Sequence, residues 1–389
     1  MERTSLSIEQ TDAIQKKQLL LLSGAHLIND AYAGFLAPLL PLLVDKFHLT
    51  LAAAGFLSSV LAISSSLTQP LFGYLADRLG RRYFVVLGPF ITSVFMSSLG
   101  LPEHYTLLVI IVFIGGMGIA FFHPQGAALA GAAGGRHKGF GMSFFSAGGN
   151  AGYALGPLFI LPVVSGVGLE YAYIVVVPGV VLSILLYKYL SMPISLLETE
   201  ENAIRTERVS LQLRTIVLLW LIVFFRALIV MSFGTYIPLL LKERGYSFMV
   251  GGTAIFIFLF CGAFGGLLGG YLSDRLGRKR IILLSLGLPT PLLLVFLYIS
   301  GAWSNIGLGL AGASLLSSIP VGIVMAQEFT PKRTSTISGL MIGFAWGIAG
   351  LGVSLVGMLA DTVGLTKALT SVAFLPLLGF MCGLGLPEK

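Results

Sequence analysis

Twelve long apolar stretches leave this chain little freedom in what it can become. They cover roughly 19–44, 50–75, 83–101, 106–130, 139–163, 168–190, 215–241, 248–272, 281–300, 304–327, 334–358 and 366–386. About 20 consecutive apolar residues are needed for a helix to cross a bilayer. Only helices and closed barrels satisfy their backbone polar groups there. A membrane barrel would show segments of about ten residues with alternating polarity, and these runs are longer and continuous. The sequence therefore predicts an all-α membrane protein with twelve transmembrane helices.

Composition excludes the soluble alternatives. Only 11% of the 389 residues are charged and 56% are hydrophobic, against roughly 25% charged in an ordinary soluble domain. That leaves too few polar residues to cover a soluble enzyme, a nucleic-acid binder or a disordered scaffold. The net charge of +7 is explained by where the basic residues lie. On the side shared by both termini stand 19 Lys and Arg, on the other side four (Lys46, Lys242, Arg244 and Lys367). Basic loops stay in the cytoplasm, so both termini are expected there, in a bacterial-type inner membrane. Arg226 is left over, inside the seventh helix. The polar start, Met1 to Lys17, reads as a retained cytoplasmic tail, taken as 1–18. Cys261 and Cys382, both within apolar runs, suggest neither a disulfide nor a metal site.

The polar stretch 191–214 divides the chain into two sets of six helices, 19–190 and 215–389. The two sets repeat each other. Gly73 to Arg82 reads GYLADRLGRR and Gly270 to Lys279 reads GYLSDRLGRK, identical at eight of ten positions with an offset of 197. Internal repeats of this kind mark secondary transporters that alternate access around a central site.

The doubled loop resembles the signature of the major facilitator superfamily, and the twelve-helix pattern extends the resemblance over the whole chain. It implies two pseudo-symmetric six-helix bundles, the major facilitator fold. Two further stretches resemble the fosmidomycin-resistance efflux branch: His26 to Pro41, HLINDAYAGFLAPLLP, and Phe121 to Gln125, FFHPQ. Gly152, Gly156 and Pro157, in G-Y-A-L-G-P, are similar to the antiporter motif of proton-coupled drug exporters. The sequence then departs from that motif, continuing LFILP, and lacks the exporters' fourth-helix Arg.

The loop motif has two readings. A cluster of Arg78, Arg81, Arg82, Arg275 and Arg278 is a positive-inside signal in itself. It leaves Asp77 and Asp274 unexplained, since acids add little to that signal. Both sit at the second helix's cytoplasmic end of their half, where a carboxylate can accept from Arg side chains or a neighbouring helix N-terminus. Gly73, Gly80, Gly270 and Gly277 permit close approach or a tight turn. Together they suggest a conformational latch.

Ionisable groups at bilayer depth cost at least about 2.5 kcal/mol each and point to function. Asp30 and His26 share a face of the first helix at a spacing of four. Arg226, about eleven residues from either end of its helix, lies too deep to snorkel fully. The repeat offset aligns it with Asn29. Asp30 and Arg226 are expected to line a central cavity with Asp30 titrating, or else to form a static ion pair between the bundles. His123 precedes Pro124 in the fourth helix, and an imidazole there is suited to carrying a proton or contacting an anion; hydrogen-bonded packing is its other reading. Asn29, Gln125 and Asn150 are further cavity candidates, as are Tyr32 and Tyr236, for which ordinary packing is the preferred reading. Glu328, at the cytoplasmic end of the tenth helix, reads as solvated.

The function expected is proton-coupled efflux of small drug-like or phosphonate-type molecules, the direction and the phosphonate coming from the resemblance. An importer of an organic anion or other small metabolite shares every motif. If Asp30 paired with Arg226, protonation would free Arg226 for an anion, a linkage that favours symport. An enzyme is not expected: the five His are scattered and no H-E-x-x-H is present. Small-molecule substrate, protons and lipid are the partners implied. No cofactor, metal or nucleic acid is implied, and a monomer is expected.

Overall fold

A computed structural model describes residues 14–191, 213–329, 337 and 340–388. Residues 1–13 of the tail, 192–212 of the central loop and the side chain of Asp77 lie outside the described residues. Twelve helices among the described residues are long and apolar enough to span a bilayer. They are α1 Lys16–Phe47, α2 Leu51–Ala76, α3 Arg81–Gly100, α4 Tyr105–Ala133, α5 Phe140–Val167, α6 Leu169–Tyr189, α7 Leu213–Glu243, α8 Phe248–Leu276, α9 Arg278–Tyr298, α10 Ala302–Phe329, α11 Ala345–Val363 and α12 Leu365–Leu384. Each overlaps an expected apolar run, and several reach a turn further, because helical hydrogen bonding continues past the last apolar residue.

The repeat is visible in the element starts. Lys16, Leu51, Arg81 and Tyr105 begin α1–α4, and the starts of α7–α10 each lie 197 residues later, the offset of the loop motifs. Helix punctuation follows local chemistry. Thr50 caps α2 by accepting from the Ala53 N–H at 3.1 Å. Gly80 and Gly277, at φ 107° and 92°, make the turns into α3 and α9, where a side chain would be strained. Two helices are locally underwound into π-turns: Ile63–Leu67 within α2 and Leu340–Phe344 ahead of α11. Such π-turns often mark functional positions, and these two pack against each other across the bundle interface.

The hydrogen bonds that join the two bundles among the described residues cluster toward the face opposite the termini. The Asp361 carboxylate of α11 accepts from the N–H groups of Leu51 and Ala52 at 2.8 and 2.9 Å. It places a negative charge on the N-terminus of α2, where the helix dipole favours it. Lys242 of α7 donates to the Pro41 carbonyl at 2.9 Å and pairs with Asp45. Deeper in, Thr235 meets Ser58 at 3.0 Å and Ser59 donates to the Gly350 carbonyl at 2.6 Å. That face is therefore sealed by charge and backbone contacts.

Candidate functional site

Halfway along α1, His26 and Asp30 stand one turn apart on the same face. His26 Nε2 lies 3.2 Å from Asp30 Oδ2. Across the bundle, α4 delivers His123, whose Nε2 lies 2.8 Å from Asp30 Oδ1. Asn29 Nδ2 donates to the same oxygen at 3.1 Å. The donor atoms of the three titratable residues lie within 4.8 Å of one another, close enough to share a cation such as a proton. The Asp30 and His123 side chains are 14% and 27% exposed, so the cluster is screened from bulk water but reachable through His123. Pro124 sits inside α4, which runs on unbroken from Tyr105 to Ala133.

Arg226 has different company. It is 1% exposed, donates from Nη1 to the Ser318 hydroxyl of α10 at 2.9 Å, and Ser318 in turn lies 2.7 Å from the Ser285 hydroxyl of α9. Its Nε has no hydrogen-bond partner among the described residues. Asp30 and Arg226 thus have separate partners, and the ion pair that a symport linkage would need is not formed.

The two aromatic candidates take the packing reading and not the cavity one. Tyr32 is buried, accepts from the Gly179 N–H at 3.0 Å and donates to the Val175 carbonyl. Its hydroxyl bridges a backbone pair that α6, still a 3-10 segment through Val176, has not closed as an α-turn. Tyr236 is buried too and donates to the Val353 carbonyl of α11 at 2.9 Å, part of the sealed face. Neither lines an open cavity. Gln125 and Asn29 are buried as well, with Gln125 Nε2 3.5 Å from the Phe72 carbonyl, whereas Asn150 is exposed.

The antiporter-like glycines have a packing explanation. A Cβ on Gly152 would meet the Leu27 carbonyl oxygen at 1.9 Å, and one on Gly156 the Ala31 carbonyl oxygen at 2.5 Å. With Gly148 they form a seam at four-residue spacing along which α5 lies backbone to backbone on α1. Pro157 belongs to the other side of α5, near Gly252 of α8.

In the loop motifs, the first Arg folds onto the Tyr four residues earlier in both halves: Arg78 on Tyr74 at 4.5 Å and Arg275 on Tyr271 at 4.4 Å. Arg82 donates to the Tyr187 carbonyl of α6. Arg278 lies 3.7 Å from Asp274 and holds Glu328 of α10 through Nε and Nη2, at 3.0 and 2.6 Å. Glu328 is thus an ion-pair partner and not merely solvated, because α9 starts beside the end of α10. Close approach at Gly73 and Gly270 is corrected: a Cβ on Gly73 meets nothing within 4 Å, and one on Gly270 only the Pro320 ring at 3.7 Å. Sequence reasoning missed Ser318, Ser285, Asp361 and the Phe145 carbonyl.

Residues 22–353 match the family model of the Major Facilitator Superfamily. The uncharacterized MFS-type transporter YfnC of Bacillus subtilis is 31% identical, covering 93% of this chain and 91% of that protein. The fosmidomycin resistance protein of Escherichia coli is 30% identical, over 92% and 90%. A crystal structure of a D-xylose-proton symporter superposes with a TM-score of 0.80 at 19% identity, over 97% of this chain and 99% of that one. The chain belongs to the major facilitator superfamily. It is an integral membrane transporter of the alternating-access fold, with two pseudo-symmetric six-helix bundles, and not an enzyme.

Proposed function

We propose that the protein exports small drug-like or phosphonate-type molecules from the cytoplasm in exchange for protons. It would act as a monomer in the lipid of a bacterial inner membrane, with both termini cytoplasmic. The observation that carries this reading is the cluster of Asp30, His26 and His123, three groups that can hold or release a proton, gathered on α1 and α4 at mid-membrane depth. Intramembrane acid and histidine groups facing one another are the usual parts of proton relays. Similarity to the fosmidomycin resistance protein over nearly the whole chain supports the outward direction.

Arg226 supplies a fixed positive charge for an anionic substrate, assisted by Ser318. The paired loop motifs act as the latch that closes the terminal face when the sealed face opens, with Gly73 in open space and Gly270 in loose contact with Pro320 until it closes. Import of an organic anion is the competing reading, and the unneutralised Arg226 is what favours it.

Two assays decide between them. Cells overexpressing the protein are expected to tolerate a panel of phosphonate and lipophilic cationic drugs better than cells expressing Asp30→Asn. In everted vesicles energised by an acid interior, adding the protected compound should release protons from the lumen. Proton-coupled movement of the compound out of such vesicles would instead support the importer.

A further inference from the structure

His26 makes a second polar contact through its other ring nitrogen, and what that contact implies rests on the proton-coupling reading just proposed. His26 Nδ1 lies 2.8 Å from the carbonyl oxygen of Phe145 on α5. A backbone carbonyl only accepts, so Nδ1 carries a hydrogen in that contact. In a neutral imidazole the other nitrogen is then bare. Nε2 nevertheless faces Asp30 Oδ2 at 3.2 Å, and two lone pairs do not hold each other at that distance. One additional proton has to sit between them.

The same geometry shows how the carbonyl is made available. Within a helix, the side chain at position i+4 leans back over the carbonyl of residue i. Position i+4 from Phe145 is Gly149. A Cβ there would lie 2.4 Å from His26 Cε1 and Nε2, in the space the imidazole occupies. The ring instead stacks on Phe145, centroids 4.0 Å apart. The arrangement recurs elsewhere: Gly357, four residues after Val353, leaves that carbonyl open to Tyr236, whose hydroxyl lies 2.3 Å from where the glycine's Cβ would be.

We infer that Phe145 and Gly149 are positioning residues that lock His26 in the Nδ1–H tautomer, so that the coupled proton is bound at His26 Nε2 against Asp30. Proton loading forms one N–H bond at the Nε2 lone pair, using a proton from water; release breaks that bond and returns the proton to water on the other side. The loaded pair is imidazolium and carboxylate. The groups that face it are Asn29 on α1, His123 on α4 and, within electrostatic reach of Asp30, Tyr153 on α5. Asp30 Oδ1 is engaged by Asn29 and His123, which leaves Oδ2 for His26. His123, the more exposed ring, is placed to pass the proton in.

The test is ¹⁵N-histidine NMR of the full-length protein in lipid vesicles, with His26 assigned by its loss in His26→Gln. At alkaline pH the expected spectrum shows Nδ1 protonated and Nε2 bare, and acidification moves only Nε2. An alkaline form protonated at Nε2 with bare Nδ1 overturns the inference. Gly149→Ala, reconstituted in parallel, is expected to release His26 to the Nε2–H tautomer and to flatten the pH profile of transport. A folded Gly149→Ala protein that keeps the wild-type tautomer and profile also overturns it. The tautomer is read without transport. An Nδ1–H His26 in a transporter that moves no protons would sink only the coupling reading, and the reverse result only this one.

Discussion

The helices α1 and α4 of one bundle and α7 and α10 of the other occupy equivalent places in the repeat, yet their polar residues differ in kind. In the first pair, Asp30 is enclosed by two histidines and an asparagine amide. In the second, Arg226 sits at the position matching Asn29, and Ser318 lies two residues from the match of His123. An imidazole is the side chain suited to exchanging a proton near neutral pH. A guanidinium cannot. On the proposed reading, one half of the repeat carries the proton and the other holds a fixed positive charge. In an alternating-access transporter, that division lets the proton and an anionic group be bound by different bundles.

The comparison extends to how the bundles are packed, and there the largest effect is expected. The α1–α5 contact is backbone on backbone at Gly152, with the Leu27 carbonyl 1.9 Å from a Cβ that is not there. In the second bundle, Gly352 of α11 meets only the tip of Leu228, at 2.7 Å, which can rotate away. Gly152→Ala should therefore destabilise by about 3 kcal/mol, and Gly352→Ala by less than about 1 kcal/mol, given typical overpacking costs. Thermal melts of the purified variants in detergent check the ranking; equal losses would mean that the seam is no tighter than its counterpart.

Next in size is Arg226→Gln. A charged hydrogen-bond donor is worth about 1.5–3 kcal/mol, so affinity for an anionic substrate should fall about ten- to hundredfold while the pH response of transport persists. Ligand-induced thermal stabilisation at several pH values measures both. A lost pH response would break the assignment of separate tasks to the two bundles.

The smallest effect belongs to the seal between them. Asp361→Asn weakens two charge-assisted contacts to the start of α2, at about 1 kcal/mol in all near an exposed helix terminus. Thr235→Cys, introduced into a protein freed of Cys261 and Cys382, should then react several-fold faster with an impermeant thiol reagent added from the sealed side.

Most of the fold was legible because a bilayer admits few solutions: run length gave the helices, and the doubled loop gave the repeat. Two of the three titratable residues were legible as a pair as well, since His26 and Asp30 are four residues apart on one helix. What joined them was not. His123 is 93 residues from Asp30, and only helix packing brings them to 2.8 Å. Arg226 invited pairing with Asp30 because it was the one deep cation, but the bundle supplies it with serines that carry no special pattern in the sequence. For Tyr32 and Tyr236 packing was the preferred reading, but not the partners of their hydroxyls: backbone groups left open at a 3-10 segment and beside a glycine. Asp361 left a faint signal, a lone acid at a helix end on the side poor in charge.

Proton coupling through Asp30 is tested most directly by transport in vesicles reconstituted with Asp30→Asn protein, comparing exchange of labelled for unlabelled substrate with accumulation driven by a pH gradient. Exchange should run at a rate near wild type, and gradient-driven accumulation should fall by at least about tenfold, since only the proton linkage is removed. Asp30→Asn protein that still concentrates substrate with the wild-type pH dependence would contradict that role.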